Sequence, residues 1–192
     1  TRSLIFISLM LAFAVALQNG DQIALKSHGS HHAQYQYLNA DTLDGSLGMA
    51  KNTDFTIASG TWWRAHQLSY NSWVFESLGS IPHDEHIYLN ADIYTGEVNL
   101  AASPDYTIAS GTHWAVETLA DGTVALRNLG SFKNPNFRYL DTDAETGTVN
   151  LVGANGSSLA SGAHWEIVTL LSAADSAGSA AVTRLLSFCP RA

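Results

Sequence analysis

Residues 122–165 read GTVALRNLGSFKNPNFRYLDTDAETGTVNLVGANGSSLASGAHW, and diverged copies of this stretch occur twice earlier in the chain. Residues 74–114 read VFESLGSIPHDEHIYLNADIYTGEVNLAASPDYTIASGTHW, and residues 23–63 read IALKSHGSHHAQYQYLNADTLDGSLGMAKNTDFTIASGTWW. The register is fixed by several residue types at once. Trp63, Trp114 and Trp165 stand 51 residues apart, as do Leu38, Leu89 and Leu140, and Gly45, Gly96 and Gly147. A fixed period of this length marks repeated supersecondary units that bury their apolar faces against one another.

Each unit holds four short runs of strand character. They are 23–26, 35–38, 46–49 and 63–66 in the first; 74–76, 86–89, 97–100 and 114–117 in the second; and 124–127, 137–140, 148–151 and 165–168 in the third. These runs alternate in polarity and are rich in β-branched and aromatic residues. Asp44-Gly45, Thr95-Gly96 and Thr146-Gly147 punctuate the second and third runs of each unit, as hairpin turns require. No segment before residue 171 sustains a 3.6-residue period. Twelve short strands in three equal units exclude a propeller, which needs about four to eight blades. They also disfavour a solenoid, because no unit is modified as a polar end cap. A closed, all-β barrel of threefold pseudo-symmetry remains. Its interior is expected to hold Leu25, Phe75 and Leu126; Leu38, Leu89 and Leu140; Met49, Leu100 and Leu151; and the three tryptophans.

The pattern Val124-x-Leu126-Arg127-x-x-Gly130, Tyr139-Leu140-x-x-Asp143 and Gly147-x-Val149 resembles fascin-like β-trefoil domains, and more loosely the fibroblast-growth-factor and ricin-type trefoils. The resemblance covers about residues 18–170, divided as 18–68, 69–119 and 120–170. It implies a β-trefoil of twelve strands. The ricin-type likeness further implies sugar binding at an Asp near the second hairpin, with an aromatic ring and an Asn or His beside it. The matching positions are Asn39 and Asp41, Asn90 and Asp92 with Tyr94 as the stacking ring, and Asp141 and Asp143. The Gln-x-Trp motif of that family stands here as Thr61-Trp62-Trp63, Thr112-His113-Trp114 and Ala163-His164-Trp165. Read from the residues alone, Asp41, Asp92 and Asp143 have a second role: Asp caps tight turns by accepting backbone amides.

The remaining features narrow the function by exclusion. The 192 residues carry 9 Lys and Arg against 17 Asp and Glu, a net charge of -8, which repels nucleic acid and anionic membrane surfaces. A single cysteine, Cys189, permits no intrachain disulfide. Ser59-Gly60, Ser110-Gly111 and Ser161-Gly162 lack a nucleophile elbow and a paired base, and read as turns rather than catalytic serines. His28 with His31 and His32, and His83 with Asp84, Glu85 and His86, have metal-ligand spacing. Both fall in a loop that is Lys133 to Asn136 in the third unit, so a variable polar loop is expected and no metal or other cofactor. His113 and His164, like Trp62, precede core tryptophans and are expected at the surface.

Residues 4–17, LIFISLMLAFAVAL, follow Arg2 and are too short for a comfortable membrane span. Ala12-Phe13-Ala14 and Ala14-Val15-Ala16 have the small-x-small form of a signal-peptidase site, so residues 1–17 are expected to be a secretory leader; a buried first strand is the alternative. Asn155-Gly156-Ser157 is a glycosylation sequon. The Ala- and Ser-rich tail, 171–192, lies outside the repeat and includes a helix-compatible stretch at 180–186.

These readings converge on a secreted, non-catalytic binding module for a glycan or an extracellular protein, with no nucleic-acid partner and no membrane span. The alternatives are a structural or protein-interaction trefoil that self-associates into a homo-oligomer or fibre, and a protease inhibitor acting through exposed loops.

Overall fold

A computed structural model describes residues 17–29, 34–56, 58–79, 84–92, 94–130, 134–143, 145–154 and 159–173. Residues 1–16 of the expected leader, the Asn155 sequon, His31, His32, His83 and the tail beyond 173 lie outside the described residues, whereas Leu17 packs partly buried against the core.

Twelve strands follow in chain order: β1 (Gln22–Ser27), β2 (Tyr37–Ala40), β3 (Leu47–Ala50), β4 (Trp63–Ser69), β5 (Ser72–Ser77), β6 (Tyr88–Ala91), β7 (Val98–Ala101), β8 (Trp114–Thr118), β9 (Val124–Asn128), β10 (Tyr139–Thr142), β11 (Val149–Val152) and β12 (Trp165–Leu171). All twelve expected strands are present. The second strand of each unit begins two residues later than its apolar pattern indicates. In the first unit the Gln36 carbonyl accepts from Ser27 and its amide donates to the Ala50 carbonyl, so residue 36 bridges two partners before the ladder starts.

The pairing closes a ring. β1 pairs with β4, β4 with β5, β5 with β8, β8 with β9, β9 with β12, and β12 returns to β1, all antiparallel. The long ladders are those between units: β4 with β5, β8 with β9, and β12 with β1 from Ile23–Thr169 to Ser27–Trp165. Each unit is therefore held mainly by its neighbours, and closure depends on bringing the first and last strands together. Asp21, 2% exposed, fastens that seam. Its two carboxylate oxygens accept the amides of Gln18 at 2.8 Å and Ala173 at 2.9 Å.

The hairpins β2–β3, β6–β7 and β10–β11 cap one end of this barrel. They interlock: the Leu100 amide donates to the Gly45 carbonyl at 2.9 Å, and the Leu151 amide to the Gly96 carbonyl at 2.8 Å. Gly45, Gly96 and Gly147 hold φ of 77°, 81° and 71°, a region costly for any side chain. A Cβ on them would also lie within 2.7 Å of the rings of His86, Phe137 and Tyr35 respectively. Each turn glycine thus seats a ring from another unit.

The interior follows the repeat. Trp63, Trp114, Trp165, Leu25, Leu38, Phe75, Leu89, Leu126 and Leu140 are 0% exposed. Full burial of one such aliphatic side chain contributes about 1.5–3 kcal/mol. Each indole is buried with its polar atom satisfied: Nε1 donates to the carbonyl of Leu38, Leu89 or Leu140 at 3.3, 3.0 and 2.9 Å. Met49 is the exception among the expected core residues, packing half-buried against the core rather than within it.

Candidate functional site

The three hairpin ends carry the sequence-nominated residues, and all three are built alike. The amides of Asp41, Asp92 and Asp143 donate across the turn to the carbonyls of Ser46, Glu97 and Thr148 at 2.8–2.9 Å. The aspartate carbonyls accept from Gly45, Gly96 and Gly147 at 2.9 Å. The side chains complete the turn. Oδ1 of Asp41 accepts the Leu43 amide at 2.9 Å; that of Asp92 the Tyr94 amide at 2.6 Å and the Thr95 amide at 3.2 Å; that of Asp143 the Glu145 and Thr146 amides at 2.8 and 2.9 Å. The Thr146 and Glu145 amides hold the Asp143 carboxyl below its ordinary value. One carboxylate oxygen is thus committed to the fold at each position. Among the described residues the other has no protein partner.

Two residues before each aspartate the units diverge. Asn39 is half-buried and faces Gly48 across the hairpin, where a side chain would meet open space. Asn90 faces Asn99 and donates to its side-chain oxygen at 2.7 Å. Asp141 faces Asn150 and is 9% exposed. Burial pushes its carboxyl up to about 6, and the charge of Asp143 adds to the effect. Oδ1 of Asp141 and Oδ1 of Asn150 are both buried without a hydrogen-bond partner.

In the first unit the surface opens beside its hairpin. A cleft of about 290 Å³ is lined by Asn39, Asp41, Thr42 and Leu43 on one side and Ser59, Gly60 and Gly79 on the other. The second wall is a 3-10 turn, Ser59–Thr61, repeated as Ser110–Thr112 and Ser161–Ala163. The expectation that the Ser-Gly pairs are turns holds at all three. Gly60 and Gly111 are obligatory: a Cβ there would collide with the carbonyl oxygens of Ala40 and Ala91. That close approach sets Ser59 beside the aspartate hairpin. Composition and motif gave no sign of the juxtaposition, because the two walls are about twenty residues apart in sequence. A second, open depression of about 480 Å³ lies where the three hairpins meet, lined by Asp44, Glu97, Asn99, Thr148, Asn150 and Phe137 among others.

Tyr94 is 81% exposed, so its ring is free to stack on a ligand, and Leu43 occupies the equivalent place at 69%. Glu145 replaces them in the third unit. The nominated residues therefore form three separate hairpin sites. An open cleft accompanies the first, a direct side-chain bond closes the second pair, and a buried carboxyl occupies the third.

The described histidines pack at the surface. His113 Nε2 lies 2.9 Å from the Pro104 carbonyl with Tyr106 edge-on, and the Trp62 indole donates to the Thr53 carbonyl at 2.7 Å with Phe55 edge-on. His164 Nδ1 meets Asp121 at 2.8 Å. The Thr123 hydroxyl and amide, with His164, hold the Asp121 carboxyl down at about 2. His66 and Arg64 share Glu76, and His28 and Lys26 share Glu166. Among the described residues no three His, Cys, Asp or Glu side chains gather as a metal site, and no helix is long and apolar enough to cross a membrane.

No protein-family model matches the chain, and no curated protein does. Solved structures do. The designed 3-fold symmetric protein ThreeFoil superposes with a TM-score of 0.59 at 16% identity, covering 78% of this chain and 99% of that one. Cry35Ab1 superposes with a TM-score of 0.58 at 13% identity, covering 81% of this chain and 37% of that one. Identities this low carry the fold alone. With the closed ring of six strands and its three hairpin caps, they establish the chain as an all-β trefoil of three pseudo-symmetric units.

Proposed function

We propose that the chain is a secreted, non-catalytic carbohydrate-binding module whose principal site is the cleft of the first unit. The observation that carries this reading is the pairing of an open cleft with a half-spent carboxylate. Asp41 uses Oδ1 to build the turn and leaves Oδ2 without a protein partner, in a cleft that also holds Asn39 and Ser59. Sugar hydroxyls need such fixed acceptors and donors, and hydrogen bonds to an ionised oxygen are the stronger ones. Leu43, exposed beside the cleft, offers an apolar surface for the C–H face of a pyranose. The cleft is at the small end of ligand sites, sized for one sugar ring rather than a drug-sized molecule. Three hairpin sites on one rigid barrel would gain from avidity on a branched glycan.

The test follows from the turn geometry. Asp41→Ala would destroy the turn and confuse folding with binding. Asp41→Asn keeps an oxygen for the Leu43 amide and removes the anion. On a glycan array the wild type is expected to retain a specific glycan, and Asp41→Asn to lose that signal with an unchanged melting temperature. Equal retention by both proteins would refute the site.

A second reading, a protein-interaction trefoil, is favoured by Tyr70, 99% exposed at the tip of the β4–β5 hairpin beside half-exposed Leu68. Binding to a protein partner that is lost in Tyr70→Ser, with glycan retention absent, would favour it.

A further inference from the structure

The third hairpin contains a conflict that its homologues within the chain do not. Asp141 and Asn150 are direct cross-strand partners, so their side chains share one face. In the second unit the same two places hold Asn90 and Asn99, joined by an N–H···O bond of 2.7 Å. Replacing the amide at 141 by a carboxyl removes that donor. What remains is a pair of buried oxygens, Oδ1 of Asp141 and Oδ1 of Asn150, neither with a partner. A buried acceptor left without a donor bears the full loss of its hydration. The carboxyl cannot move aside freely, because it leans on the 3-10 turn: a Cβ on Gly162 would lie 2.6 Å from its Oδ1.

One proton resolves the conflict. A neutral Asp141 presents an O–H that donates to Asn150, restoring the bond seen at Asn90 and Asn99. An ionised Asp141 presents only acceptors to the Asn150 oxygen, and only a turn of the Asn150 amide would bring a donor to it. We propose that Asp141 is a proton-operated latch on the third hairpin, joined to Asn150 when it carries a proton and released to ligand donors when it ionises. This rests on the carbohydrate reading for its ligand class, sugar hydroxyls, but not for the latch itself.

The surroundings leave the latch to the proton. β11 brings no titratable side chain, and neither does the 3-10 turn at Ser161–Ala163; His164, next in sequence, is engaged with Asp121. β9 brings Arg127, which registers with Tyr139 and pairs with Glu117. Glu97, just before β7, bridges to Asn150, and Asp143 follows in the turn. Asp143 is negative, so it favours the proton on Asp141 rather than its loss. The raised carboxyl, at about 6, agrees with the geometry.

The experiment uses the described protein without ligand. The Asp141 carboxyl carbon is titrated by NMR, and amide exchange is measured across β10–β11 at about pH 5 and pH 7.5. Wild type is expected to titrate near 6 and to lose protection on β10–β11 by about tenfold or more at the higher pH, beyond the intrinsic pH effect. Asp141→Asn is expected to keep protection at both, as β6–β7 does in the same molecule. Titration below about 4.5 would overturn the proposal, since the Asn150 amide would then be turned to donate to a permanent carboxylate. So would pH-independent protection in the wild type. Both readouts are independent of glycan retention, so a blank array would sink the ligand reading and leave the latch standing or falling on its own data.

Discussion

The barrel wall and the hairpin ends are built from the same three copies, yet only the wall is uniform. Trp63, Trp114 and Trp165 are buried to the same degree and make the same bond to the leucine carbonyl 25 residues earlier. In the hairpins, the pairs Asn39–Gly48, Asn90–Asn99 and Asp141–Asn150 occupy equivalent places and differ in chemistry, burial and bonding. Packing at about crystalline density tolerates little change in a shared core. A hairpin face that bears no barrel load tolerates more. Sameness here reports the fold, and difference marks where the three units part in chemistry.

The comparison can be broken at its uniform end. Trp114→Ala is expected to lower stability by about 3–5 kcal/mol, as large-to-small core substitutions do, and to be read as a fall in denaturant midpoint. An unchanged midpoint would remove Trp114 from the core. It can be sharpened at its divergent end with Asp141. The folded carboxyl is raised from 3.8 to about 6, so its contribution is complete below about pH 4 and is lost as pH rises through about 6. At about 1.4 kcal/mol per unit this amounts to about 3 kcal/mol. Asp141→Asn is expected to erase that slope and to be the more stable protein at pH 7. Chemical denaturation across pH 4 to 7.5 measures it, and parallel curves for the two proteins would contradict it.

A smaller effect is expected at Gly96, whose φ of 81° and contact with the Phe137 ring disfavour any side chain. Gly96→Ala should cost about 1–2 kcal/mol, and more than the same change at Gly48, where a Cβ meets open space. The smallest belongs to the surface pair of Lys26 and Glu166, 36% and 47% exposed. Lys26→Ala is expected to shift stability by less than about 1 kcal/mol, and less again in high salt.

These residues also show what was legible in advance. The 51-residue spacing of tryptophan, leucine and glycine dictated three units, and short alternating runs dictated strands. Closure followed because three units are too few for a propeller and none is modified as a solenoid cap. For Asp41, Asp92 and Asp143 two readings were open from the residues, turn capping and sugar contact, and the structure shows the capping. The cross-strand partners were not legible. Asp141 meets Asn150 only once the hairpin register is set, and that register starts two residues later than the apolar pattern places it. The cleft was hidden for the same reason. Ser59 comes beside Asp41 because Gly60 lets a 3-10 turn press on the Ala40 carbonyl, a contact that no local pattern encodes.

The central functional claim is that a turn-building aspartate keeps one oxygen for a sugar. The most direct measurement is a glycan array with the purified protein at high concentration, run beside Asp41→Asn. A specific glycan retained by the wild type and lost by Asp41→Asn, with both proteins melting together, is the expected result. A blank across a broad panel, or a hit that survives the substitution, would contradict it.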